Sequence, residues 1–235
     1  MQFAVEATMN RQERRQRARS LASKIDEEIR ALTVRNTPNV RAVRKKYSRL
    51  LKDADAALIL DLAQELVHTC GYRSPSYELI RSHRAAFKRI GEAELEDFGQ
   101  GINSWWSVDS FARTLAGPAW LKGQVSDAVI HRWARSEDLW WRRAALVSTV
   151  ALNIRSRGGS GDVRRTLEVC RMLADDHEDM VVKALSWALR ELVVHDPASV
   201  REFLDAHDSI LAARVKREVS NKLETGLKNP RKGQD

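Results

Sequence analysis

The chain has 235 residues and a mass of 26.7 kDa, with 43% hydrophobic and 31% charged residues. That suits one substantial domain or a short repeat array, and it excludes both a disordered tail protein and a mini-scaffold. No run nears the roughly 18 consecutive apolar residues of a membrane span. Met1 to Ser20 is polar and arginine-rich, without the apolar core of a signal peptide, so a soluble, intracellular protein is expected. Cys70 and Cys170 make neither a disulfide framework nor a CxxC pair, and the six histidines show no HExxH spacing. Neither a metal site, a thiol catalyst nor a cofactor is expected.

The formal net charge is +8, and its distribution is uneven. Residues 1–52 hold 14 Lys and Arg against 5 Asp and Glu, a local net of +9, so the rest of the chain is close to neutral. A basic cluster attracts polyanions through counterion release, and nucleic acid is the commonest intracellular one. The alternative is a solvated helix face such as Arg11 to Arg19.

Helix starts are signalled by Pro38, Pro75 and Pro197, each after a residue able to cap: Thr37, Ser74 and Asp196. Apolar residues recur at helical spacing, as in Leu58, Leu62, Leu66 or Val181, Leu185, Leu189, Leu192, and sustained period-two alternation is missing. The reading is helices over roughly 9–31, 38–52, 54–69, 75–90, 92–100, 104–115, 125–135, 137–156, 162–174, 178–194, 197–206 and 208–226, with no strands. Gly71 suits a helix end, Gly117-Pro118 is expected to break the chain before Trp120, and Gly158 to Gly161 reads as a loop.

An internal echo bears on architecture. Asp138-Leu139-Trp140-Trp141-Arg142 lines up with Asp179-Met180-Val181-Val182-Lys183 at an offset of 41 residues, each followed by an Ala- and Leu-rich helix. Such spacing fits HEAT-like two-helix units stacking into a curved all-α solenoid. On that register Arg142 matches Lys183, and Arg143 has no repeat counterpart.

All seven tryptophans lie between Trp105 and Trp187. Core packing between helices is the ordinary use of most such rings, whereas surface rings beside arginines stack on bases or sugars. Trp105 and Asp109 stand at i and i+4, after Asn103 and Ser104, which can cap, so ring and carboxylate share a face. Both aromatic faces and carboxylates stabilise positive charge. The competing structural reading has the tryptophan in the core and Asp109 paired with Arg142 or Arg143.

Three ordered segments, Ser104-Trp105-Trp106-Ser107-Val108-Asp109-Ser110, Trp140-Trp141-Arg142-Arg143-Ala144-Ala145 and Lys183-Ala184-Leu185-Ser186-Trp187-Ala188-Leu189-Arg190-Glu191, closely resemble the AlkD-type bacterial DNA alkylation repair glycosylases. The stretch from Thr37-Pro38 through Arg41, Arg44 and Lys45 is similar to that family's Pro-x-x-Arg helix start, so the resemblance covers about residues 35–220. It implies a C-shaped stack of HEAT-like pairs holding duplex DNA in a basic concave groove. Trp105 and Trp187 would flank the damaged nucleotide, Asp109 would face the anomeric carbon and its attacking water, and Arg143 would contact the DNA backbone. Many relatives carry an acidic residue where this chain has Trp106, so the lesion-facing ring can be aligned as Trp105 or Trp106; the i, i+4 spacing favours Trp105.

The resulting expectation is a DNA N-glycosylase, with Asp109, Trp105 and Trp187 as catalytic residues. Arg143, Trp106, Arg142, Arg190, Arg41, Arg44 and Lys45 are the expected DNA-binding residues. Its partner would be duplex DNA carrying cationic N3- or N7-alkylated purines, with no membrane contact. The protein would be monomeric, cytoplasmic and nucleoid-associated, of bacterial kind. Residues 1–30 form a basic helical extension, 31–228 the repeat domain and 229–235 a polar tail. The alternatives are a non-catalytic HEAT-repeat scaffold and a DNA-structure binder, which would have no need of Asp109.

Overall fold

A computed structural model describes residues 9–230, and they are all-helical, with no strand among them. The first eight residues and the last five of the expected extension and tail lie outside the described residues. Contacts divide the chain into two compact units, Met1–Ile90 and Gly91–Asp235.

The first unit contains α1 (Arg11–Arg30), α2 (Thr37–Leu50), α3 (Ala56–Gln64), α4 (Arg73–Ser82) and the short α5 (Arg84–Phe87). α1 begins with a capping box, in which Asn10 accepts from the Gln12 and Glu13 amides and Glu13 reaches back to the Asn10 amide. Its Ala18, Ala22, Ile25 and Ile29 recur at i, i+4, i+7 and i+11 and pack with Leu58, Ile59 and Leu62 of α3 in one apolar core. A basic, arginine-rich helix thus carries a narrow stripe of small and branched residues that ties it to the unit.

The second unit holds α6 (Glu92–Gly99), α7 (Trp105–Phe111), α8 (Gly117–Leu121), α9 (Asp127–Ala134) and α10 (Leu139–Asn153). It continues with α11 (Val163–Met172), α12 (Asp179–Leu192), α13 (Pro197–Ala206) and α14 (Ala213–Thr225). α7, α10, α12 and α14 pack successively side by side, while α9, α11 and α13 lie behind them against α10 and α12. α10 is the hub, buried without interruption from Arg143 to Asn153. Burying each of Leu146, Val147, Val150 and Leu152 contributes roughly 1.5–3 kcal/mol.

Local chemistry corrects several sequence expectations. Only Pro197 directly follows its cap, with the Asp196 carboxylate accepting from the Ser199 amide. The cap of α2 is Asn36 rather than Thr37, and α4 starts from Tyr72, ahead of Ser74. The helix expected over 75–90 stops at Ser82 because His83 turns extended and its Nδ1 accepts from the Ala86 amide, starting α5.

Gly117-Pro118 does not break the chain. A π-turn over Ala112–Ala116 puts the Gly117 amide on the Ala112 carbonyl, five residues back, and helical structure runs on into α8. In that register the Arg113 carbonyl would face the N–H that Pro118 lacks, and Arg157 Nη1 donates to it instead at 2.9 Å. Gly117 is needed for approach: a Cβ there would stand 2.6 Å from the Ser148 carbonyl on α10.

The echo is also re-registered. The first intrahelical bonds run from Arg142 N–H to the Asp138 carbonyl in α10 and from Val182 N–H to the Glu178 carbonyl in α12. Asp138 therefore corresponds to Glu178, an offset of 40, and Lys183 is the counterpart of Arg143 rather than of Arg142. Capping overrode the acidic match, because Asp179 is already inside its helix.

Candidate active site

Ser104 caps α7, and the Ser107 hydroxyl reaches back to the Ser104 and Asn103 amides at 3.2 and 3.3 Å. This fixes the helix start and leaves Trp105 and Trp106 on its first turn, 57% and 51% exposed, while Val108 and Phe111 enter the core. Exposing two neighbouring indoles forfeits burial, so they are the part of the tryptophan set that packing does not explain. The others behave differently. Trp120 and Trp133 are buried, and Trp141 packs against Trp133 at a ring separation of 4.9 Å and edge-on to Phe111. Gly99 is required there, since a Cβ would lie 2.2 Å from the Trp141 ring.

One turn beyond Trp105, Asp109 meets Arg143 of α10 in a two-pronged ion pair, Nε to Oδ1 at 3.0 Å and Nη2 to Oδ2 at 3.1 Å. The remaining terminal nitrogen, Nη1, donates to the Met180 carbonyl at the start of α12. Arg143 thereby ties three neighbouring helices and is itself 5% exposed. Of the two structural pairings open for Asp109, the partner is Arg143. Burial pushes the Asp109 carboxyl above its ordinary value, and the nearby charges of Arg143 and Arg113 only partly offset that. Each carboxylate oxygen spends one lone pair on the guanidinium and keeps another.

Trp187 lies on α12, half-buried, with its Nε1 donating to Glu191 at 2.9 Å and the Arg113 guanidinium over its ring at 5.2 Å from the centroid. Arg113 was not singled out in the sequence, although it follows Asp109 at the same i, i+4 spacing as Asp109 follows Trp105. The Trp187–Glu191 pair was legible by the same rule.

The other expected DNA contacts are placed variously. Arg142 is engaged with Asp176 at 2.7 Å and with the Ser136 and Glu137 carbonyls, closing the turn before α10. Arg190 donates to Ser186, which in turn donates to Glu218 at 2.6 Å, and burial lowers its guanidinium pKa. In the first unit, Arg41 and Arg44 share Glu78, while Lys45 is exposed.

A family model described as DNA alkylation repair enzyme matches residues 5–223, nearly the whole chain. The chain belongs to that family. Among curated proteins, none matches it. Family membership gives DNA alkylation repair as its role and DNA as its substrate class. The match takes in α1, which the motif resemblance leaves outside. No helix among the described residues is long and apolar enough to cross a membrane.

Proposed function

We propose that this alkylation repair protein is a DNA N-glycosylase that hydrolyses the N-glycosidic bond of cationic N3- or N7-alkylpurines in duplex DNA. The observation that carries the reading is the Asp109 carboxylate. It is desolvated, held by two prongs, and shares a helix face with the exposed Trp105.

An alkylated purine already bears positive charge and departs without a general acid, which fits a site built without histidine. What remains is the cationic sugar. Asp109 stabilises it electrostatically and, through its free lone pairs, orients the attacking water. At about 4 Å and an effective dielectric near 20, a carboxylate and a unit positive charge attract by roughly 4 kcal/mol, close to a thousandfold in rate. That is a gross ceiling, because Arg143 draws off part of the field while keeping the carboxylate ionised. Trp105, with Trp106 beside it, and Trp187 supply aromatic faces for the sugar and its backbone, and neutral bases stay in place because they leave too slowly to profit. The protein would act as a monomer on DNA lying along the row α7, α10, α12 and α14.

A second reading has one observation in its favour: the Asp109–Arg143–Met180 tie is a complete structural strut, as a DNA-structure binder or scaffold would use it. Incubation with duplex DNA carrying one N7- or N3-methylpurine, followed by detection of free base and abasic sites, decides between them. Base release by the wild type that disappears in Asp109→Asn supports the glycosylase. Binding without release leaves the second reading.

A further inference from the structure

Arg143 and Arg113 flank the same carboxylate in different states. Arg143 is almost wholly buried, and its three guanidinium nitrogens all donate, two to Asp109 and one to the Met180 carbonyl. Two of its five N–H donors stay unused, but at 5% exposure a phosphate could reach them only by moving the groups packed around Arg143. Arg113, four residues beyond Asp109 in the π-turn, has its guanidinium on the face of Trp187, and its Nε is buried with no hydrogen-bond partner among the described residues. Its own carbonyl is held by Arg157, so the backbone from which the side chain springs is fixed. The Nε itself is out of a phosphate's reach, but Arg113 is only partly buried and none of its guanidinium nitrogens donates to a described residue, so its terminal nitrogens are left to take an acceptor that arrives from outside.

We propose that Arg113 is the cation that takes a DNA phosphodiester beside the lesion, its guanidinium pre-set on the Trp187 ring, and that Arg143 is a positioning residue for Asp109. The inference rests on the reading that this face receives duplex DNA; it does not rest on excision. A planar guanidinium stacked on an indole loses little freedom when its fork meets two phosphate oxygens, which is why arginine suits this place and lysine less so. The same placement links the two rings of the site: a phosphate drawn to Arg113 sets the strand between Trp187 on α12 and the Trp105 side of α7. It also keeps the approaching anion off Asp109, which an adjacent unshielded phosphate would repel.

The test uses the full chain and a duplex carrying a stable abasic-site analogue, so that affinity is measured without chemistry. Log K against log salt is compared for wild type, Arg113→Gln, Arg113→Lys and Arg143→Gln. One lost phosphate contact reduces the slope by about 0.9. Arg113→Gln should show that loss, Arg113→Lys should restore the slope while binding more weakly than wild type, and Arg143→Gln should keep the wild-type slope. A neutral methylphosphonate replacing the contacted phosphate should weaken wild type and leave Arg113→Gln unaffected, which a merely structural role for Arg113 would not produce. Circular dichroism and the unfolding midpoint identify any variant that has lost its fold. An unchanged slope in folded Arg113→Gln overturns the proposal, as does a loss of slope in folded Arg143→Gln with Arg113→Gln intact. A wild type that binds with the expected pattern yet releases no alkylated base sinks the glycosylase reading and leaves this assignment standing.

Discussion

The two units use their cations differently. In the first, where the basic excess lies, the cations outnumber the carboxylates, yet several are matched within the unit: Arg14 to Asp61, Arg19 to Glu65, Arg41 and Arg44 to Glu78, Lys46 to Glu28. In the second, Arg142 and Arg143 are matched too, but α7 and α12 add indole faces, and the π-turn after α7 adds the Arg113 guanidinium, whose Nε has no acceptor among the described residues. Net charge counts cations, and contacts decide which of them remain for a phosphate. The chemistry follows the same division, because the only carboxylate of the expected site sits among the aromatic surfaces rather than in the basic segment.

The largest effect expected is on excision. Asp109→Asn keeps one acceptor for Arg143 and removes the charge, so single-turnover cleavage of a methylpurine duplex should fall by up to about a thousandfold at unchanged affinity. Equal rates, normalised to folded protein, would falsify the electrostatic assignment. Next comes stability. Arg143→Ala strips a mostly buried carboxylate of its partner and leaves the Met180 carbonyl without its donor, a loss of about 3–5 kcal/mol in denaturant unfolding. A change inside 1 kcal/mol would mean that the tie is dispensable. Gly99→Ala should cost about 1–3 kcal/mol, since the Trp141 ring has to move from packed neighbours to admit a methyl group; an unchanged unfolding midpoint would place that ring elsewhere.

Acid pH separates site from scaffold. Asp109 is raised above its ordinary value of 3.8, so its charge disappears as pH falls through that higher value, and excision should disappear with it. The sign for stability is opposite: ionised Asp109 carries a cost of burial that protonation relieves, so this group does not destabilise the fold in that window. The paired carboxylates Glu28, Glu78 and Asp179 are held below their ordinary values, and the stability they give is lost only at lower pH. A window is therefore expected, below the raised value of Asp109 and above the lowered values of those pairs, in which the protein is folded and slow. Circular dichroism and release of base, corrected for spontaneous acid depurination, check it. Coincident loss of fold and activity would refute it.

How much of this was legible follows from the range of the interactions. Helix periodicity and the Trp105–Asp109 spacing are local and were readable, as was the loop at Gly158 to Gly161, where Gly158 and Gly161 take positive φ. The π-turn before Pro118 was not, because its energetics depend on α10 approaching Gly117 and on Arg157 arriving from 44 residues away. Arg113 was missed for a related reason: its i+4 position from Asp109 was visible, but its lack of an acceptor is a property of everything packed around it. Counting from a matched acidic residue rather than from the helix start also shifted the repeat by one residue, and so matched Lys183 to Arg142 instead of Arg143.

The smallest effect concerns the basic segment. If cations matched within the first unit are spent there, exposed Lys45 should matter more to DNA than Arg44, which is mostly buried and 2.7 Å from Glu78. Charge counting makes the two equivalent. Lys45→Ala should reduce the salt slope by up to about 0.9, the value for one phosphate contact, with little effect on unfolding. Arg44→Ala should leave the slope nearly unchanged and lower stability, because Glu78 would then rely on Arg41 alone, whose side chain is 48% exposed and correspondingly weak as a partner. Glu78→Gln completes the set: it frees both arginines at once, and if they are held back only by that carboxylate, the slope should steepen beyond wild type. A slope that responds to Arg44 and Lys45 alike, and not to Glu78, would show that the ion pairs of the first unit open without cost when DNA arrives, and that net charge was the better guide after all.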